Sequence, residues 1–158
     1  MRIFKIVFAV YLLFSCGSEN QTNQENALQE QVGFSESDTI IMWNCDADKQ
    51  ERSRIFTSDA AIQNVQPLIN GINSIYPEIA LHFVAISGDT LIVAMNEGKL
   101  LVNQMGSSGA EQYLSFAAMN LLEAKGIQFV QFSLPEGAHA KNSVWTKADF
   151  EDWKMLTE

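Results

Sequence analysis

The thiols and imidazoles of this chain are few: Cys16, Cys45, His82 and His139. Beside them, the serines of Gly106-Ser107-Ser108-Gly109 are the remaining candidates for nucleophilic chemistry. Such chemistry needs a nucleophile or base held by a second, orienting group. His82 and His139 show no metal-ligand spacing, either with each other or with Cys45; His82 falls inside an apolar strand pattern, as a satisfied or exposed strand residue. Cys45 stands next to Asp46 and close to Asp48, whose negative charge disfavours a thiolate, so a half-buried structural cysteine is expected. The serine loop is not G-x-S-x-G, because Ala110 stands where the last glycine belongs. Glycines ahead of a helix can hold an anion, but a loop that turns into the helix also accounts for them. Asp46, Asp48 and Glu51 are closely spaced carboxylates, yet Lys49 lies among them and the glycine of a calcium loop is missing; a solvated loop is expected. No catalytic residue, cofactor ligand or metal ligand is assigned. Two weaker candidates for function remain. His139, in Glu136-Gly137-Ala138-His139-Ala140, follows a strand, where loops often carry function, and it is the first place to look for a pair brought together by folding. Trp145 belongs with Phe150 and Trp153 as a packing residue; exposed, it would mark a surface for a protein or glycan.

Cys16 is explained by what precedes it. Arg2 and Lys5 form a short positive segment, and Ile6 to Phe14 is an unbroken apolar run. As a helix the run would rise only about 14 Å, short of the ~30 Å of a bilayer core. It has the form of the apolar part of a signal peptide rather than of a membrane span. Leu13-Phe14-Ser15-Cys16 resembles the lipobox of bacterial lipoproteins: a leucine, a spacer, a small residue and the cysteine that takes a diacylglycerol on sulfur. The resemblance implies cleavage after Ser15 and a membrane anchor on Cys16. Each buried methylene contributes about 0.8 kcal/mol, so several acyl chains such as palmitate hold a soluble domain firmly. By the sorting rule of Gram-negative lipoproteins, Gly17 rather than Asp after the cysteine implies the outer membrane.

Residues 16–37 change character. Gln and Asn dominate after Cys16, with Glu19, Glu25, Glu30 and Glu36 and no Lys or Arg. Too little apolar surface is present to offset chain entropy, which predicts a flexible tether reaching roughly 25 Å. Removing residues 1–15 takes Arg2 and Lys5 from ten cations, leaving eight against nineteen carboxylates, a net charge of −11. That balance excludes nucleic acid as a natural partner and disfavours adsorption to anionic head groups. Residues 38–158 are enough for a single domain with a real core. With Cys16 acylated, Cys45 is the only thiol left, so packing must hold that domain without a disulfide.

The patterns within it predict an α+β fold. Asp38 to Cys45 is a predicted strand, and Asp46 to Arg54 a charged loop. Ile62, Val65, Leu68, Ile69, Ile72 and Ile75 form a helical stripe; Pro67 restricts the firm helix to Pro67–Tyr76. Ile79 to Ile86 and Thr90 to Met95 flank Ser87-Gly88-Asp89, a hairpin turn. Ser108-Gly109-Ala110-Glu111 fits a capping box, opening a helix whose stripe includes Tyr113, Leu114, Ala117, Leu121 and Leu122, with Gly126 ending it. Ile127 to Leu134 is a strand apolar on both faces near Phe129, Val130 and Phe132, hence central. Thr146 with Asp149 predicts a short final helix carrying Phe150 and Trp153. The core order is helix, strand, strand, helix, strand, with both helices on one face of a small sheet.

The span from about residue 61 to 137 resembles the GerMN domain, named for a spore-germination lipoprotein and found in other envelope lipoproteins. The matching residues are the strand Thr90 to Met95, Met105-Gly106-Ser107-Ser108-Gly109 entering a helix, Leu121-Leu122 near its end, and Gly126-Ile127-Gln128-Phe129-Val130-Gln131-Phe132 leading to Gly137. The family is similar in topology to the ring-building motifs of envelope machines. That implies an interaction or assembly role and carries over no catalytic residue. Two classes follow. One is a non-enzymatic, lipid-tethered module that binds a protein or envelope polymer, with self-association as one form. The alternative is a small envelope hydrolase acting on cell-wall material through His139 and a nearby carboxylate. A deep pocket at His139 would favour the enzyme, and an exposed apolar patch the binding module.

Overall fold

A proline inside an apolar helical stripe has to sit where its missing N–H is harmless. In the computed structural model, which describes residues 34–58, 61–95, 98–137 and 139–157, Pro67 lies in the first turn of helix α1, Gln66–Ile75. The stripe residue ahead of it, Ile62, is outside the helix and makes an isolated parallel bridge to Ala124. A single 3-10 turn, Pro77–Ile79, leads into strand β3, Leu81–Ser87, which pairs antiparallel with β4, Thr90–Met95. Gly88 between them has φ of +64°, the left-handed conformation a tight hairpin needs. Helices α2, Lys99–Asn103, and α3, Gly106–Leu121, follow. Strand β5, Phe129–Ser133, then runs parallel to β4, and β6, Ser143–Trp145, pairs antiparallel with β5. The resulting four-stranded sheet has the order β3-β4-β5-β6.

A second sheet joins the two ends of the domain. Strands β1, Trp43–Asp46, and β2, Glu51–Arg54, form an antiparallel pair, and β7, Lys154–Leu156, lies parallel to β2. The described residues therefore form an α+β fold with two small mixed sheets and three helices. No helix among the described residues is long and apolar enough to cross a membrane.

Cross-strand partners share a face of a sheet. On one face, Leu81, Leu91, Val93, Met95, Val130 and Phe132 are buried beneath the helices. On the other, Ile92, Gln131 and Val144 are partly or fully exposed. Helix α1 lies against β3 and α3. Every residue of α3 from Tyr113 to Leu121 is buried, so this helix is enclosed on all sides, with β1 among its neighbours. Its one buried amide is fully used. Asn120 Oδ1 accepts from the N–H groups of Met42 and Trp43 at 2.7 and 3.0 Å, and Nδ2 donates to the carbonyls of Trp43 and Phe116 at 3.1 and 2.9 Å. Those bonds tie the start of β1 to the central helix.

Several local expectations are corrected. Ser108 is not an N-cap: α3 begins at Gly106 and has no side-chain cap, and Ser108 instead donates to Asp48 Oδ1 at 2.6 Å. The strand expected over Asp38 to Cys45 is confined to its last residues. The preceding segment runs along α1, where Ile40 N–H donates to the Pro67 carbonyl and Asn70 Nδ2 donates to the carbonyls of Glu36 and Asp38. Contacts start before Asp38: the ring of Phe34 packs edge-on against Phe56 at 6.3 Å. The charged segment expected as a loop contains β2, because Arg52 and Arg54 lay their stems and guanidinium groups over the Trp43 ring, 5.5 and 4.7 Å from its centre. Strand β5 is central in its sheet, yet Phe129 is partly exposed, so only one of its faces is covered. The final helix is a 3-10 turn, Lys147–Phe150, and it does carry the expected box of Thr146 with Asp149. Trp153 follows that turn and packs edge-on against Phe150.

Candidate functional site

The first turns of α3 collect most of the reactive side chains. Ser107 Oγ lies 3.4 Å from His139 Nδ1. His139 is set by its loop: its N–H donates to the Val102 carbonyl at 2.9 Å. Gly137 allows this approach, since a Cβ there would stand 2.3 Å from Val102 Cβ. One residue along α3, Ser108 reaches Asp48 in the turn between β1 and β2. One helical turn further, Gln112 Nε2 donates to the Cys45 carbonyl at 2.9 Å and reaches its sulfur at 3.7 Å, while Oε1 accepts from Ala47 N–H at 2.8 Å.

The electrostatics set limits on what this cluster does. Burial, offset in part by the Gln112 contact and reinforced by the Asp46 charge, pushes the Cys45 thiol up to about 11. It is a protonated, weakly nucleophilic group at neutral pH. Asp46 is held below the usual carboxylate range by its bonds with Lys49, 2.6 Å away, whose own proton is held more tightly in return. Asp48 bonds to Ser108, so the serine next to His139 and the serine next to a carboxylate are different residues. The Ser107–His139 contact is long for a hydrogen bond and exposed. Beside it a broad depression of about 590 Å³ is lined by Leu134, Pro135, Glu136, Gly137, Ala140, Lys141 and Asn142; neither Ser107 nor His139 borders it. Among the described residues, no three His, Cys, Asp or Glu side chains converge as a metal site.

The other candidates are dispersed. Cys16 lies outside the described residues. Trp145 is half-buried, stacked on Phe150 with ring centres 5.6 Å apart, and its Nε1 donates to Ser143 Oγ at 2.9 Å. It is a packing residue with one edge exposed. His82 is half-buried on β3, with Nδ1 enclosed and without a hydrogen-bond partner among the described residues.

What the sequence did not single out is a set of large apolar residues left uncovered on the four-stranded sheet. Phe83 is 44% exposed, Val84 48%, Ile86 50%, Phe129 36% and Val144 56%. Phe83 pairs with Val93 and Ile86 with Leu91, so these two lie on the helix side but beyond the helices' cover. Val144 pairs with Gln131 on the uncovered face. The strand pattern itself held a signal: Leu81-His82-Phe83-Val84-Ala85-Ile86 does not alternate, the mark of a strand apolar on both faces, yet β3 sits at the sheet's edge. Comparison with family models, with curated proteins and with solved structures gives no match.

Proposed function

We propose that this chain is a lipid-anchored protein of the bacterial cell envelope, held in the outer membrane by acyl chains on Cys16, whose α+β domain acts by binding or assembly rather than by catalysis. The GerMN-type reading of residues 61–137 belongs to the same proposal. The observation that carries it is uncovered apolar surface: five large apolar side chains are exposed on the four-stranded sheet, Phe83 and Ile86 on the helix side of β3 and Val84, Phe129 and Val144 elsewhere on the sheet, and exposed apolar surface marks interaction sites. The reactive groups near α3, by contrast, are protonated, solvated or without enclosure. Two measurements test the reading. Cys16→Ser should abolish labelling by a palmitate analogue and leave the precursor uncut at Ser15; unchanged mass and labelling would refute the anchor. For the binding role, the intact lipoprotein is crosslinked in its own membrane from photoreactive residues placed in turn at Val84 and Val144, with another at exposed Glu111 on α3 as control. Adducts from Val84 or Val144 and none from Glu111 are expected.

One observation favours a second reading, the envelope hydrolase. Folding does bring His139 to a serine, Ser107, at the start of a long helix, where amide groups favour developing negative charge. The double variant His82→Ala with His139→Ala separates the two. The binding reading expects it to complement a deletion strain as wild type does; failure at normal abundance and fold would put the hydrolase first.

A further inference from the structure

The free edge of β3 differs from an ordinary apolar patch because its backbone is partly capped. Asn73, on α1, accepts from the Leu81 N–H at 2.7 Å and donates to the Leu81 carbonyl at 2.8 Å. The side-chain amide thus makes the two bonds a neighbouring strand would make. Backbone groups of alternate residues point to the same edge of a strand, so those of Phe83, two residues on, also face outward. Past the register shift between Phe83 and Ala85, the pair Ser87 and Thr90 closes the hairpin, which turns Ile86 outward in the same way. Among the described residues, β3 has a strand partner on one side only. Its sequence has neither proline nor charge, the usual guards of an exposed edge; the bulge is its one such device.

We infer that the edge of β3 from Phe83 to Ile86 receives an extended, basic segment of a partner protein as an added strand. This rests on the binding role proposed above and specifies its mode. Repeated outward amides select a polypeptide strand over a polysaccharide. Phe83 and Ile86 share a face with buried partners, whereas Ala85 and Ile92 belong to the opposite face; apolar neighbours on both sides suit an added strand better than a helix lying on one face. The sign of the partner follows from charge. Residues 55–98 contain no Lys or Arg, but include Asp59, Glu78, Asp89 and Glu97. Glu78 and Asp89 bracket β3 in the chain, so an antiparallel pair of two β3 strands from separate copies would set acid against acid. The chain's own segment before Phe34 is equally unsuited, having Glu19, Glu25 and Glu30 and no cation after residue 16.

The test uses the mature lipidated chain in nanodiscs and three labelled peptides of alternating valine and threonine. One carries two lysines at each end, one carries glutamates there, and one is the lysine form N-methylated at alternate residues. The lysine form should bind roughly tenfold tighter than the glutamate form at low salt, lose most binding on N-methylation, and slow amide exchange over residues 81–87. Val84→Lys and Ile86→Lys, both at exposed positions, should each weaken it while leaving the circular dichroism spectrum unchanged. Equal binding of lysine and glutamate forms, full binding of the N-methylated form, protection outside β3, or concentration-dependent protection without peptide would each overturn the inference. If the peptides fail while Val144 still crosslinks to a partner, strand addition falls and the binding role stands; if both fail, the binding role falls too.

Discussion

The central helix α3 and the edge strand β3 have opposite relations to their surroundings. Along α3, three polar side chains that would be costly in a core are matched, the buried Ser115 hydroxyl being the exception: Asn120 makes four bonds, Gln112 joins Cys45 and Ala47, and the Tyr113 hydroxyl donates to the Ile79 carbonyl at 2.7 Å. Along β3 it is apolar groups that lack cover, at Phe83, Val84 and Ile86. Stability resides where polar and apolar demands are both met. The surface proposed for recognition is where the apolar demand is left open. The location of reactive residues alone would have pointed to the first turns of α3 instead.

The contrast implies that substitutions in the two regions separate cleanly. The largest effect is expected in α3. Leu121→Ala should cost about 2–5 kcal/mol, and Asn120→Ala about 3 kcal/mol, since it strands two buried N–H groups at about 1–3 kcal/mol each. Urea denaturation measures both. Loss of this size at Val84→Lys, rather than within about 0.5 kcal/mol, would make β3 part of the core and erase the distinction.

The next effect is in pH. Cys45 has a folded value raised from 9.0 to about 11, so between those values the folded chain keeps a proton that the unfolded chain has released. Its contribution is therefore complete below about pH 9 and lost as pH rises through about 11. Subtracting the stability profile of Cys45→Ala from that of wild type removes the titration of neighbouring tyrosines and lysines. A difference that rises, rather than falls, across this window would contradict the assignment. The same protonated thiol should react slowly with iodoacetamide at pH 8 until the chain is unfolded.

The smallest effect is at Ser108. As an N-cap it would contribute about 1 kcal/mol. Donating to Asp48 on the surface instead, it should matter by no more than about 0.5 kcal/mol on substitution with alanine. A loss near 1 kcal/mol would restore the cap.

Helix α1, the hairpin and the Thr146–Asp149 box were legible because each is punctuated locally: Pro67 fixes a start, Gly88 a turn, and Thr146 with Asp149 a cap; helix α2, with no such mark, was not expected. The second sheet was not legible. Strand β2, Glu-Arg-Ser-Arg, has the charge of a loop, and it becomes a strand only because Trp43 and the distant residues 154–156 lie beside it. Ser108 misled for a related reason: a serine three residues before a glutamate marks an N-terminus, but Asp48, sixty positions away, competes for the hydroxyl. The nearness of Ser107 and His139 depends on the loop after β5 folding onto Val102, which no spacing records. The exposed apolar residues were visible as strand formers; which of them the helices would leave uncovered depended on sheet order.

The proposed point of contact with a partner is the β3 edge and not the reactive residues at α3. The most direct measurement is photocrosslinking of the full chain in its own cells, with the probe placed in turn at Val84, Ile86, Ser107 and His139. A shared adduct from Val84 and Ile86 is expected, with none from the other two. Adducts from Ser107 and His139 with none from β3 would contradict it.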